Sequence, residues 1–258
     1  AAVERMQALA PACVFIAMHG PYGEDGRMQS LCDLMHVPHI GADAIGSGVA
    51  MDKWLAKCVY RAEGIPTPDG LLLGRRDLAE PGLASRVAGR LGLPAVVKAV
   101  RNGSSYGVTI ARDEAALDEA LRGALAADDR VVVETFRRGR ELSVPVIEDP
   151  ATGEPRALPI IEIRVATHEF FDTEAKYDPT LSEELCPAPI PEDMAEKAGA
   201  IGIAAHRALA LAGFSRTDLI WDDAGLWVLE TNTIPGLTEQ SLFPKSIAVA
   251  GGTFADLV

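Results

Sequence analysis

The sequence predicts an α/β unit that gives way to α+β units, and three observations carry that expectation. Helix-like and strand-like stretches alternate around a glycine-rich loop before Gly46, the rhythm of a parallel sheet. A middle stretch combines amphipathic helices with short apolar strands, and toward the C-terminus two pairs of strand-like segments flank tight turns.

Taken in order, Val3 to Leu9 reads as a helix, Cys13 to Met18 as a strand, HGPYGEDG as a loop, Met28 to Met35 as a helix and HIGAD as a short strand. About 45 residues make a marginal independent core, and the chain starts without a methionine, so a part upstream is expected to be absent. From Met51 to Ala62 the positions Leu55, Val59 and Ala62 recur at helical spacing, and Gly64 and Pro66 stop the helix. A short helix over 83–91 ends at Gly92 and Pro94, and the run Ala95 to Val97 leads as a strand into Lys98 and RNGSSYG. Val108 to Ala111 reads as the next strand, followed by a helix from Asp113 to Leu125 with Leu117, Leu121 and Leu125 on one face, and a strand from Val131 to Phe136. Two strand-like stretches, Glu141 to Ile147 and Leu158 to Val165, joined by EDPATGEP, suggest antiparallel pairing. Residues 166–196 read as a long loop of the kind used as a functional lid, and a helix from Met194 to Leu211 then precedes two strands around DDAG.

Composition narrows the function classes. Of 258 residues, 48% are hydrophobic, enough for a real core. The 24 Lys and Arg against 37 Asp and Glu leave a net charge of -13, which repels phosphate backbones and makes nucleic acid an unfavourable partner. Cys13, Cys32, Cys58 and Cys186 form no CxxC pair and, with three of them within apolar stretches, read as buried thiols rather than bridges or a zinc site, as in a reducing compartment. No apolar run approaches a membrane span and no secretory leader is recognisable, so a cytoplasmic protein is expected.

The strands SRTDLIW and LWVLETN carry the chemistry. If Asp222 pairs with Leu226 across a three-residue loop, Asp218 lies opposite Glu230 and Arg216 opposite Asn232, all four on one face, with Leu219 and Leu229 on the other. Two facing carboxylates repel unless something positive sits between them. A hard divalent cation would resolve the conflict, and oxygen-only ligands suit magnesium or manganese, which usually also binds phosphate. Pairing of the acids with Arg216 on a solvated face is the plain alternative. Lys98 before Gly103, Ser104, Ser105 and Gly107 makes a loop that either folds over phosphate or closes a simple hairpin. In HGPYGEDG, Glu24 and Asp25 either cap a helix or meet substrate beside His19; in PGLTEQSLFPK, Gly236, Thr238 and Ser241 either bind an anion or cap the next helix.

Together, HGPYGEDG, AMDK, AEGIPTP, KAVRNGSSYGV, VETFRRGRELSV, EAKY, RTDL and LETNTIPGLTEQSLFP, in this order, resemble the D-alanine:D-alanine ligase family of the ATP-grasp superfamily. The resemblance implies an ATP-grasp fold with a truncated N-terminal parallel-sheet domain over 1–50, a central subdomain over 51–136 and a catalytic subdomain over 137–258, with the nucleotide sandwiched between the last two. It implies ATP-dependent joining of two D-alanines through an acyl phosphate, for peptidoglycan precursor synthesis. Asp218, Glu230 and Asn232 would hold two magnesium or manganese ions; Lys53, Lys98 and Lys176 would contact ATP phosphates, with Ser105 beside them, and Glu134 and Glu141 the adenine region and ribose. Arg216 and the Gly236 N–H would stabilise the oxyanion, and Ser104 and Tyr177 would orient the first D-alanine. Ser241 would hold the carboxylate of the second substrate with Leu242 beside it, and His19 would belong to the substrate site.

Some positions depart from the family's pattern. Members begin with a further strand whose glutamate contacts the first amine, which has no counterpart before His19, and usually continue through a final helix. Ala99 stands where a proline is common, Thr217 where an apolar residue is, and FFDTEAKY lacks two tyrosines often found there, whereas EAKY favours D-alanine over D-lactate as acceptor. The resemblance also suggests a homodimer. A ligase for other amino acids and a non-catalytic nucleotide binder are the competing expectations.

Overall fold

The computed structural model describes residues 2–101, 108–165, 182–253 and 255. Helix α1 (Ala2–Leu9), strand β1 (Val14–Phe15), helix α2 (Arg27–Leu34) and strand β2 (His39–Ile40) open the chain, with β1 and β2 parallel as the alternating pattern predicts. Two helices follow where one was expected, α3 (Ala44–Met51) and α4 (Lys53–Ala62). Asp43 caps α3 through the Gly46 N–H, and Asp52 ends that helix and caps α4 through the Leu55 N–H.

A four-stranded antiparallel sheet comes next, in the order β3 (Gly70–Gly74), β6 (Arg130–Thr135), β4 (Ala95–Ala99), β5 (Thr109–Ala111). Helices α5 (Leu83–Leu91) and α6 (Glu114–Ala127) cover one face. Leu117, Leu121 and Leu125 pack there against Val97, Val131 and Val133, as the leucine spacing predicts. Alternation turns Lys98 and Glu134 to the opposite face.

The larger sheet runs β10 (Ser182–Leu185), β9 (Ile161–Val165), β7 (Arg140–Glu148), β11 (Phe214–Asp222), β12 (Gly225–Asn232), with β8 (Pro155–Ala157) also on β7. The pairing of β7 with β9 is antiparallel, as expected, whereas β10 falls within the stretch expected to be loop. Helix α7 (Glu192–Ala208) lies against the face formed by Leu142, Val144 and Val146. Its approach is close: a Cβ on Gly202 would sit 2.6 Å from a Val144 methyl, so only glycine fits.

Helix α4 packs into this same core through Ala56 and Tyr60. Of Leu55, Val59 and Ala62 only Val59 packs against the core: Leu55 is 45% exposed and Ala62 is exposed, while Ala56, Lys57 and Tyr60 are the buried residues. The polar members of that buried face are satisfied by hydrogen bonds, which is how a lysine comes to lie inside. Helix α8 (Leu242–Val249) covers part of the opposite face, where Leu242 meets Ile161 and Ile163 and Phe243 meets Phe214. All four cysteines are free, but only Cys32 is fully buried; Cys13 and Cys58 are exposed despite their apolar neighbours. Among the described residues no helix is long and apolar enough to cross a membrane.

Candidate active site

The hairpin β11–β12 places Arg216 opposite Asn232 and Asp218 opposite Glu230, the register expected from sequence, but reaches it differently. The turn is one residue tighter, pairing Asp222 with Gly225, and a β-bulge between Asp218 and Leu219 restores the register. Leu229 is the residue passed over, so Val228, fully buried, takes the place beside Leu219 expected for Leu229. On the reverse face at this end Thr217 and Thr231 bond at 3.0 Å, and Tyr60 Oη donates to Thr231 at 2.8 Å. Thr217 is thus a hydrogen-bonded core residue.

Both carboxylates meet cations of the chain itself. Arg216 grips Asp218 with two bonds, Nε to Oδ1 at 3.0 Å and Nη2 to Oδ2 at 2.8 Å. Ser143, paired with Asp218 across β7, donates its hydroxyl to Oδ1 at 2.7 Å. Lys53, the first residue of α4, reaches Glu230 at 2.8 Å. Burial opposes the Arg216 charge, yet Asp218, with Glu230 and Glu141 behind it, raises the guanidinium pKa above its ordinary value. The repulsion that a cation was invoked to relieve is therefore already relieved by Arg216 and Lys53. Asn232 Oδ1 accepts the Ile234 N–H at 2.9 Å.

The four-stranded sheet adds a second cluster. Glu134, 2% exposed, shares its carboxylate between Lys57, at 2.9 Å, and Lys98. Burial alone would raise its pKa, but the two ammonium groups hold it down at about 2. Burial likewise works against the Lys98 ammonium, which Glu134, and beyond it Glu230 and Glu141, hold above its ordinary value. Lys57 goes the other way, with burial outweighing Glu134. Because Glu134 is ionised in the fold, it contributes stability above its unfolded pKa near 4.5, and that contribution is lost as pH falls toward about 2. Urea midpoints taken between neutral pH and pH 3 are expected to fall less steeply in Glu134→Gln than in the unmodified chain.

The remaining expected residues are spread as follows. His19 is exposed. Glu24 does not cap a helix; it accepts the Gly20 N–H, and burial raises its pKa in the combined field of His19, Glu230 and Arg216. Gly236 and Ser241 nearly touch: a Cβ on Gly236 would lie 2.7 Å from Ser241 Oγ. Ser241 occupies the N-cap position of α8 without capping it, because its hydroxyl bonds the Thr238 hydroxyl at 2.8 Å. The Leu242 side chain is buried in the core against β9. Ser104, Ser105, Lys176 and Tyr177 lie outside the described residues. Ser143 and Lys57 were not singled out from sequence; strand register from Asp218 finds the first, and an apolar-face reading of α4 hides the second.

Among the described residues no three His, Cys, Asp or Glu side chains converge as a metal cage. Asp218, Glu230 and Asn232 nonetheless form an all-oxygen set that fits magnesium or manganese once phosphate or water oxygens complete the shell.

An acidic hairpin in a large antiparallel sheet, met by Lys53 of α4 and by Lys98 of a smaller antiparallel sheet, is the architecture of an ATP-grasp enzyme. Family models described as D-ala D-ala ligase N-terminus and C-terminus match residues 2–42 and 59–258. The chain belongs to the D-alanine–D-alanine ligase family, ATP-dependent carboxylate–amine ligases of peptidoglycan synthesis. The D-alanine–D-alanine ligase of Desulforudis audaxviator is 42% identical over 95% of this chain and 78% of its own length. That of Syntrophobacter fumaroxidans is 41% identical over 94% and 76%. Among solved structures, the D-alanine–D-alanine ligase from Bacillus anthracis complexed with ATP superposes with a TM-score of 0.82 at 31% identity, over 99% of this chain and 80% of that one. The Coxiella burnetii ligase gives 0.82 at 32% identity, over 95% of this chain and 65% of that one, and VanG D-Ala:D-Ser ligase from Enterococcus faecalis 0.83 at 30%, over 95% and 70%.

Proposed function

We propose that this chain joins two D-alanines at the hairpin site, phosphorylating the carboxylate of the first with ATP so that the amine of the second displaces phosphate. The observation that carries this reading is the meeting of two sheets in one electrostatic site: Lys98 of β4 feels Glu230 of β12 and Glu141 of β7, while Lys53 bonds Glu230 directly. A nucleotide between the sheets would find ammonium groups for its phosphates on one side and oxygen ligands for its counter-ions on the other.

In this reading Asp218, Glu230 and Asn232 hold two magnesium or manganese ions, which when bound screen the phosphate charge. Lys53, Lys98 and Lys176 bind phosphates, with Ser105 beside them, and Glu134 and Glu141 border the base and ribose. Arg216, fixed by its two bonds to Asp218, directs positive charge toward the oxyanion formed when the amine attacks, and the Gly236 N–H adds a second donor. Ser241, already turned away from capping α8, receives the carboxylate of the second D-alanine; Leu242 walls it, and His19 lies at the mouth. Ser104 and Tyr177 orient the first D-alanine. The division into units over 1–50, 51–136 and 137–258 belongs to this reading, with α4 cored on the C-terminal sheet; so do a cytoplasmic location and a homodimer.

Phosphate release from Mg-ATP is the direct test. It is expected with D-alanine and absent with L-alanine or no amino acid; release without D-alanine would sink the proposal. The likeness to VanG D-Ala:D-Ser ligase motivates a second reading, acceptance of D-serine, which the same assay run with D-alanine plus D-serine separates by product mass.

A further inference from the structure

Lys57 is the buried charge that the site roles above leave unused. Its ammonium, 2% exposed, meets three acceptors: Glu134 Oε2 at 2.9 Å, Thr67 Oγ1 at 2.7 Å and the Pro68 carbonyl at 2.9 Å. Three donors therefore find three partners, a fully satisfied buried ammonium. Thr67 passes the connection on, donating to the Val228 carbonyl at 2.9 Å, while the Val228 N–H donates to the Pro66 carbonyl at 2.8 Å. One side chain of α4 thus links β6 of the smaller sheet, the segment 66–69 that leads into that sheet, and β12 of the larger one.

The charge count explains what this link can do. Glu134 and Lys98 alone form a neutral buried pair, which attracts polyphosphate only as a dipole. Lys57, bound to the other oxygen of the same carboxylate, leaves the group of three with a net positive charge. It does so from behind Glu134.

We propose that Lys57 is a positioning residue for polyphosphate recognition: it neutralises and anchors Glu134 so that the Lys98 ammonium remains available to the phosphates of a nucleoside triphosphate. It touches no ligand. The inference rests on the nucleotide reading of the site, so its test uses binding rather than turnover and includes a ligand without phosphate.

The full chain is titrated calorimetrically with a non-hydrolysable ATP analogue and separately with adenosine. Lys57→Met is expected to weaken the analogue about tenfold more than it weakens adenosine, which shares any loss from a displaced Glu134 but carries no phosphate to feel the lost charge. Lys57→Arg, which keeps the charge, is expected to recover most of the loss. Lys57→Gln, still able to donate to Pro68, repeats the charge removal if the methionine variant does not fold. An equal loss for both ligands, or an arginine variant no better than methionine, would overturn the proposal and leave Lys57 a packing residue. Failure of the unmodified chain to bind the analogue would instead overturn the nucleotide reading, and this inference with it.

Discussion

Glu230→Gln is expected to lower D-alanine-dependent phosphate release by about a thousandfold, the effect of removing several kcal/mol of charge stabilisation at phosphate. Fold is expected to survive, because glutamine keeps the shape of the side chain and an oxygen beside Lys53, so the change removes a charge without opening a cavity. Stopped assays of phosphate and thermal melts on one preparation check both halves. Activity within about tenfold of the unmodified chain would remove Glu230 from the metal set.

The second large effect belongs to Arg216. Arg216→Met strips Asp218 of two charge-assisted bonds and leaves two carboxylates facing each other across β11 and β12. Breaking a buried ion pair from one side typically costs about 3–5 kcal/mol. A loss of that order in urea unfolding is expected, together with loss of turnover. Arg216→Lys separates the two contributions. It restores charge and hence part of the stability, but a single ammonium cannot reproduce the two-point grip that aims the guanidinium, so turnover is expected to stay low. Full recovery of turnover in the lysine variant would show that position is unimportant.

The sequence reading succeeded where local pattern and tertiary demand coincide. Leu117, Leu121 and Leu125 are apolar at helical spacing and are buried on α6, and the alternation in β11 and β12 announces a hairpin. It failed where packing overrides propensity. Gly46 and Gly48 weaken the helical signal of α3, yet a Cβ on Gly46 would come within 3.0 Å of Leu211, so the glycine serves close packing. The GLLLG of β3 has neither alternation nor a β-branched residue, and its strand state comes from pairing with β6. Lys57 is illegible in the sequence because a buried lysine violates the pattern by which helix faces are read, and its three acceptors lie on segments that only the fold brings to it. At the candidate site the residue types were legible from sequence, and so was the pairing of the acids with Arg216, which lies two residues from Asp218 on the same strand. That Lys53 compensates Glu230 was not, because it depends on chain segments far apart in sequence.

The bulge at Asp218 and Leu219 acts as a phase shifter. Strict alternation along β12 would tie its two ends together, so that turning Glu230 and Asn232 toward the polar gap would also turn Leu226 and Val228 toward it. Passing over Leu229 advances the tip by half a period: Leu226 and Val228 enter the core, and Trp227 comes out to meet Asp222, at 2.9 Å, and Arg137. The hairpin thereby carries two independent faces in sequence, a ligand end and a packing end. Changes at the tip can be accommodated there without rotating the carboxylates, since the register of each end is set on its own side of the bulge.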